Sequence, residues 1–187
     1  MDSGGELKYP DTLSDWLGPG LRIISVGLNP SPASVAAQVY FAHPRNRFWP
    51  ALRASGLIDE PLKPSLESMQ RLFEFYRIGF TDLVKRPTPG AAQLRAKDYR
   101  EGSLNLHERL KDLNPTVIWF QGRTPWVQFL RYTQGEAASA RWGAQVQMLE
   151  GIPVWVTPNP SPANAAFRLE DLTLWMRGLA TWLSRRD

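Results

Sequence analysis

The sequence predicts an α/β domain, a three-layer α/β/α sandwich in which a mostly parallel central sheet lies between layers of helix. Three observations carry this. Apolar, β-branched runs at 21–26, 116–120 and 152–156 read as strands buried on both faces. Segments with apolar residues at helical spacing alternate with those runs. The pentapeptide Asn-Pro-Ser-Pro-Ala occurs twice, at 29–33 and 159–163, each time just after one of the runs. Two matching loops at the ends of two parallel strands would face one crevice, on the side where open α/β sheets bind ligands. The plainer reading of each copy is turn chemistry, with Asn capping the loop and Pro fixing φ.

Composition bounds the answer. A chain of 187 residues with 43% hydrophobic and 11% aromatic content suits one domain with a sizeable core. We expect a polar N-terminal arm over 1–16 and a single domain over 17–187. The net charge of +4 and a pI near 9.6 are compatible with an anionic partner such as nucleic acid. The absence of cysteine excludes disulfides, thiolate zinc sites, cysteine-ligated clusters and cysteine nucleophiles. With only His43 and His107, a multi-histidine metal site is not expected either, and no cofactor is implied. The polar, acidic start lacks the basic and apolar parts of a signal peptide, and no run approaches the roughly 20 apolar residues of a membrane span. The expectation is a soluble, cytoplasmic monomer with no membrane association.

Taken in order, the arm carries a short helix around 12–17, ended by Gly-Pro-Gly, and no chemistry. After the first strand, Gly27 and two prolines stop regular structure and display Asn29, Ser31 and Ser34 on a loop. A helix opens at Asn46 and runs through Phe48, Trp49, Leu52 and Leu57, with Gly56 near its end. The next, at 64–76, sets Leu66, Met69, Leu72, Phe73 and Tyr76 at helical spacing, with Ser65 as its cap. Gly79, Thr81 and Asp82 then interrupt an apolar stretch before Lys85 and Arg86, and Pro87 and Pro89 make a loop. A helix over 98–113 stops at Asn114-Pro115 and carries His107 as an ordinary boundary residue. The strand 116–120 leads through Gly122 into a helix with Pro125 in its first turn. Residues 133–140 read as a surface loop, and Glu150-Gly151 as the turn between 146–149 and 152–156. The last helix, 169–183, aligns Leu172, Trp175, Met176, Leu179 and Leu183.

A nucleophile elbow, a Walker loop and a GxGxxG fingerprint are all absent. The loops offer amides, hydroxyls, an aromatic pair and a carboxylate, which suits a flat polar ligand held beside a positioned water. Asparagine is no base, but its amide can orient water and hydrogen-bond a heterocycle. A leaving group that departs as a stabilised anion needs little more.

The runs GLNPSPASVAAQVYFAHPRNRFW, GFTDLVKRPTPGA, WGAQ at 142–145 and VTPNPSPANAA keep the order and spacing of a known family. From about Leu17 to the carboxyl terminus the chain resembles the mismatch-specific uracil-DNA glycosylases, relatives of thymine-DNA glycosylase. The resemblance implies a compact α/β/α sandwich and cleavage of the N-glycosidic bond of uracil, and of related damaged pyrimidines, flipped out of duplex DNA. Flipping costs a few kcal/mol, least at a mispair, and stacking of a base on an aromatic side chain recovers about 1–3 kcal/mol. By that resemblance Asn29 positions the attacking water and Phe41 stacks on the extruded base. Amides near Leu28 and Phe41 bond the pyrimidine edge, with Ser34 and Asn159 lining the pocket. The second loop, with Ser161, Pro162, Ala163, Asn164 and Ala165, enters the duplex.

Two departures from the family pattern stand out. The familiar bacterial members have glycine, leucine and arginine in the second loop, where this chain has neither a large apolar wedge nor an arginine. Looser dependence on the opposite base is expected, extending to uracil opposite adenine or in single strands. Asp82 replaces the family's usual non-carboxylate residue after the threonine. At a strand end in the crevice it would activate water or stabilise the cationic sugar; otherwise it caps a turn or pairs with Lys85 or Arg86. Arg45, Arg47, Lys85, Arg86 and Arg123 are the expected phosphate contacts, although any one of them alone reads equally as a solvated charge. His43 is expected to fix its loop through the backbone, and no lysine has a case for Schiff-base chemistry, so a monofunctional enzyme is expected. A non-catalytic DNA- or nucleobase-binding protein and a hydrolase of free nucleosides are the alternatives.

Overall fold

A computed structural model describes residues 12–135 and 140–186. Its five-stranded sheet comprises β1 (Ile23–Gly27), β2 (Ile78–Asp82), β3 (Val117–Gln121), β4 (Gly143–Ala144) and β5 (Val154–Thr157), in the spatial order β2-β1-β3-β5-β4. The first four in that order are parallel, and only β4 runs antiparallel, beside β5. The helices are α1 (Pro32–Ala37), α2 (Phe48–Ser55), α3 (Leu66–Glu74), α4 (Ala96–Leu110), α5 (Arg123–Thr133) and α6 (Leu169–Ser184). None is long and apolar enough to cross a membrane.

Alternation along each strand builds two cores, because successive side chains leave opposite faces. Ile23, Ile78, Phe80, Val117, Trp119 and Trp155 pack on one face with Leu52 of α2, Met69 and Leu72 of α3, and Leu172, Met176 and Leu179 of α6. Ile24, Val26, Ile118, Phe120, Val154 and Val156 pack on the other with Leu106 and Leu110 of α4 and Phe129 and Leu130 of α5. The sheet is therefore covered on both sides, which is why its strands read as unbroken apolar runs. Each fully buried large side chain contributes about 1.5–3 kcal/mol, and Trp119, Trp126, Phe48, Phe80 and Phe120 head that set.

The chain moves outward from β1 to β2, then returns past β1 to β3. That reversal makes a crevice at the carboxyl ends of β1 and β3, the topological switch point of an open α/β sheet.

Several expectations need correction. Thr12–Leu17 forms no helix: Trp16 makes an antiparallel bridge to Phe80 with hydrogen bonds of 2.9 and 3.0 Å, and Leu13 is buried at 1% exposure. The backbone demand of the open β2 edge outweighs the weak local helical pattern. The first Asn-Pro-Ser-Pro-Ala loop contains the short helix α1, because the Ser31 side chain accepts from the Ser34 amide and Pro32 tolerates the first helical position. The hairpin narrows to an isolated Leu149–Ile152 bridge around Glu150 and Gly151, both at positive φ, and the antiparallel strand beside β5 comes from 143–144 instead. Part of the 133–140 loop, and residues 1–11 of the arm, lie outside the described residues.

Candidate active site

The ends of β1, β2 and β3 and the segment after β5 converge on one cavity of about 360 Å³. Gly27, Leu28, Asn29, Asp82, Gln121 and Asn159 line it, each contributed by the end of a strand or the residues just beyond. Ser34, Tyr40, Phe41, Asn46 and Thr88 close its sides, and Ser161, Ala163 and Asn164 of the second loop its rim.

Asn29 is held by its amide nitrogen. Nδ2 donates to the Arg86 carbonyl at 3.0 Å and to the Thr88 hydroxyl at 2.7 Å. Thr88 spends its own proton on the Gly90 carbonyl at 3.0 Å, so towards Asn29 it acts as an acceptor. Two acceptors facing one end of the amide decide which atom is nitrogen. Both Nδ2 protons are thereby committed, and Oδ1 is the atom that can take a hydrogen bond from water.

Asp82 ends β2 directly opposite Gly27 in the ladder. A Cβ on Gly27 would collide with the Asp82 carboxylate, so the glycine is what admits the carboxyl to the cavity wall. The side chain is 3% exposed, and its buried Oδ2 has no hydrogen-bond partner. Burial raises its pKa to about 7, against the opposing pull of Lys85 and Arg109. Of the two sequence readings of Asp82, the carboxylate at a strand end in the crevice matches this geometry. Neither Lys85 nor Arg86 bonds to its side chain: Lys85 Nζ pairs with Asp15 at 2.6 Å and Arg86 with Asp98 at 2.7 Å.

Phe41 stands at φ 57°, in the left-handed region that costs a bulky residue energy. Its ring stacks on Phe48, with centroids 4.1 Å apart and planes inclined at 22°, and it also lines the cavity. The side chain is a platform backed by the core. Ser34 is 4% exposed, and its hydroxyl accepts from the Ala42 amide at 3.3 Å and from Ser31 at 3.2 Å. Gln121 lines the cavity and belongs to a buried polar chain behind it: Trp119 Nε1 donates to Thr157 at 2.9 Å, and Gln121 Nε2 to Ser25 at 3.1 Å. Gly122, at φ 124°, brings the backbone against Asn159, where a Cβ would stand 3.5 Å from that of the asparagine.

The expected cations are dispersed. Arg47 does not reach outward: its guanidinium donates to the Asn164 carbonyl at 2.9 Å, the Pro160 carbonyl at 3.4 Å, and those of Ser161 and Phe167. Lys85 is turned into the fold, bonded to Asp15 and to the Leu13 carbonyl at 2.5 Å. Arg86 forks onto Asp98. Arg123 lies over the Trp142 ring at 3.9 Å, and Trp142 meets Phe167 edge-on at 5.3 Å. Arg45 is exposed on the surface. His43 accepts from the Arg45 amide at 3.1 Å, holding its loop as expected. Pro162 and Ala165 are exposed on the second loop, outside the cavity lining.

Sequence reasoning does not mark Thr88, Gln121 and Tyr40, which line the cavity, or Asp15, which lies outside its lining and bonds to Tyr40. Gln121 had a signal, since it ends an apolar run just before a glycine, as Val26 does. Asp15 had none, because its partners lie 25 to 94 residues away. Among the described residues, no group of three or more His, Asp or Glu side chains is placed to hold a metal ion.

Two comparisons bear on this arrangement. The solution NMR structure of a protein from Methanosarcina acetivorans, described as a candidate uracil DNA glycosylase, superposes with a TM-score of 0.60 at 20% identity. The match covers 91% of this chain and 96% of that one. At that identity the likeness concerns the fold, and it agrees with the helix-flanked, mostly parallel sheet. Residues 15–179, nearly the whole described domain, match the sequence profile of the uracil DNA glycosylase superfamily. The chain belongs to that superfamily.

Proposed function

We propose that this protein is a monofunctional DNA glycosylase that hydrolyses the N-glycosidic bond of uracil, and of related damaged pyrimidines, flipped out of DNA, leaving an abasic site. The observation that carries the reading is the pairing, in one cavity, of an Asn29 amide whose nitrogen is fully committed with a buried Asp82 carboxyl whose Oδ2 has no hydrogen-bond partner.

In this reading the extruded base rests on Phe41, and its edge meets the backbone near Leu28 and Phe41. The Asn29 Oδ1 accepts a hydrogen bond from the attacking water and aims its lone pair at the sugar C1′. Asp82, once ionised, faces the positive charge that develops on the sugar ring and takes the proton the water gives up. The base leaves as its anion, stabilised by those amide donors. The commitment of Lys85 to Asp15 and Leu13 supports hydrolysis over a Schiff-base lyase step.

The absence of a bulky apolar residue in 159–165 supports loose dependence on the opposite base, with uracil opposite guanine, uracil opposite adenine and single-stranded uracil all as substrates. We place the enzyme in the Mug and thymine-DNA glycosylase branch of the superfamily on its GLNP and FAHPRNRFW motifs. We take it to act as a cytoplasmic monomer without a cofactor. Labelled duplexes and single strands carrying uracil, treated with alkali after incubation, test this reading. Cleavage that disappears in Asn29→Ala is expected; DNA binding without cleavage, or cleavage of free deoxyuridine only, would sink it. Strict dependence on guanine opposite would sink the loose-selectivity part alone.

A further inference from the structure

Beneath the cavity wall lies a cluster of charges that the reaction above does not use. Asp15, from the strap preceding β1, accepts from Lys85 Nζ at 2.6 Å and from Arg109 Nη1 at 2.8 Å. It also accepts from the hydroxyls of Thr81 at 2.8 Å and Tyr40 at 3.3 Å. Burial works against its ionisation, but the charges and hydrogen bonds of Arg109 and Lys85 outweigh that, and its carboxyl is held below the ordinary range.

Both cations are neighbours of Asp82, yet neither bonds its carboxylate. Arg109 Nη2 donates to the Asp82 backbone carbonyl at 2.9 Å, and Lys85 lies three residues on. The charged and titratable groups that act on Asp82 come from four elements: Asp15 from the strap, Tyr40 from the turn after α1, Lys85 from the loop after β2, and Arg109 from α4. Gly27 of β1 adds none. The Tyr40 hydroxyl is pushed well above its usual range, by burial first and then by the two carboxylates, so it stays neutral throughout.

We propose that Asp15 is a positioning residue for the reaction: by occupying Lys85 and Arg109 it keeps them from pinning the Asp82 carboxyl in its ionised form, and so sets the pH at which the site becomes active. The charge count makes this directional. With Asp82 protonated the cluster of Asp15, Lys85 and Arg109 carries one net positive charge. Removing Asp15 makes that two, and ionisation of Asp82 is favoured. Removing the Lys85 charge makes it zero, and ionisation is disfavoured.

The proposal rests on Asp82 acting in the chemistry, and the experiment separates the two claims. Carbon-13 carboxyl NMR of aspartate-labelled protein, with the Asp82 signal identified by its loss in Asp82→Asn, follows the titration directly in wild type, Asp15→Asn and Lys85→Met. Single-turnover cleavage of a uracil duplex follows the acid limb of the rate in the same three proteins. The Asp82 midpoint should fall by about one pH unit in Asp15→Asn and rise by about one in Lys85→Met, with the acid limb moving alongside. Midpoints that stay put, or move in the same direction, overturn the proposal, since a purely structural role gives no opposed shifts. If Asp15→Asn does not fold, Lys85→Met alone must still raise the midpoint. Opposed carboxyl shifts with an unmoved rate profile overturn it by removing Asp82 from the chemistry, while a wild type that cleaves nothing is a failure of the glycosylase reading.

Discussion

The pentapeptide at 29–33 and its copy at 159–163 share every side chain and almost no structure. In the first, Asn29 points its nitrogen at Thr88 and the Arg86 carbonyl, Ser31 caps α1, and the adjoining strand end faces Asp82. In the second, Asn159 turns back to accept from the Ser161 amide at 2.8 Å, Asn164 Nδ2 bonds the Asn159 carbonyl at 2.9 Å, and no helix follows until 169. The difference lies in what surrounds each copy. The first is fixed through side chains it shares with the 86–90 loop, the second through its own carbonyls, gathered by Arg47. A local sequence offers turn chemistry, and long-range partners decide whether it becomes a rigid site or a held rim.

Substitutions that strike one copy and spare the other should separate these roles. Asn29→Ala should cost about 10²–10³ in single-turnover cleavage, as loss of a group that acts on the transition state does, whereas Asn159→Ala should cost under about tenfold, being a turn cap. Equal losses would erase the distinction.

Asp82→Asn should slow cleavage by about 10², within the range for an acid–base group, while stabilising the fold at alkaline pH. The sign follows from the raised pKa. The native carboxyl titrates near 7 and its ordinary value is 3.8, so between those values the folded state binds more protons than the unfolded one. The contribution of Asp82 to stability is fully present below pH 3.8 and is lost as pH rises towards 7. The asparagine carries no such loss, so its advantage at pH 8 should be on the order of 4 kcal/mol. Thermal unfolding of both proteins across pH checks it; a variant that is less stable at pH 8 would contradict the buried carboxyl with its unpartnered Oδ2. In the wild type, cleavage should rise as pH passes through about 7.

Thr88→Val keeps the shape of the first site but removes one acceptor from Asn29 Nδ2. About tenfold slower cleavage is expected, equivalent to about 1.4 kcal/mol, with little change in binding of uracil-containing DNA. A loss confined to binding would place Thr88 on the base instead.

The smallest effect tests the second copy. Arg47→Met withdraws the guanidinium from four carbonyls of the rim and should lower duplex cleavage by about fivefold, leaving single-stranded uracil nearly untouched, since no base pair has to be opened there. Equal losses on both substrates would mean that Arg47 supports the pocket itself.

Much of this was legible in residues whose information is local. The buried strands showed as apolar runs because both of their faces are covered, Ser65 marked its helix start, and the GLNP and NRFW motifs marked the cavity. What stayed hidden depends on distant partners. The roles of Lys85 and Arg47 could not be read because a cation looks the same in sequence whether it faces a phosphate, a carboxylate or a ring of carbonyls. The stretch 12–17 reads as helical because nothing local reveals an open strand edge next to it.

That strap also bears on how the protein stays dispersed. By pairing Trp16 with Phe80 it covers the flank of β2, the terminal strand of the sheet's parallel side, whose unpaired amides and carbonyls would otherwise template strand addition by another copy. A chain trimmed to begin at residue 17 would bare that flank and also take Leu13 out of the core, so edge-to-edge aggregation and loss of stability would arrive together.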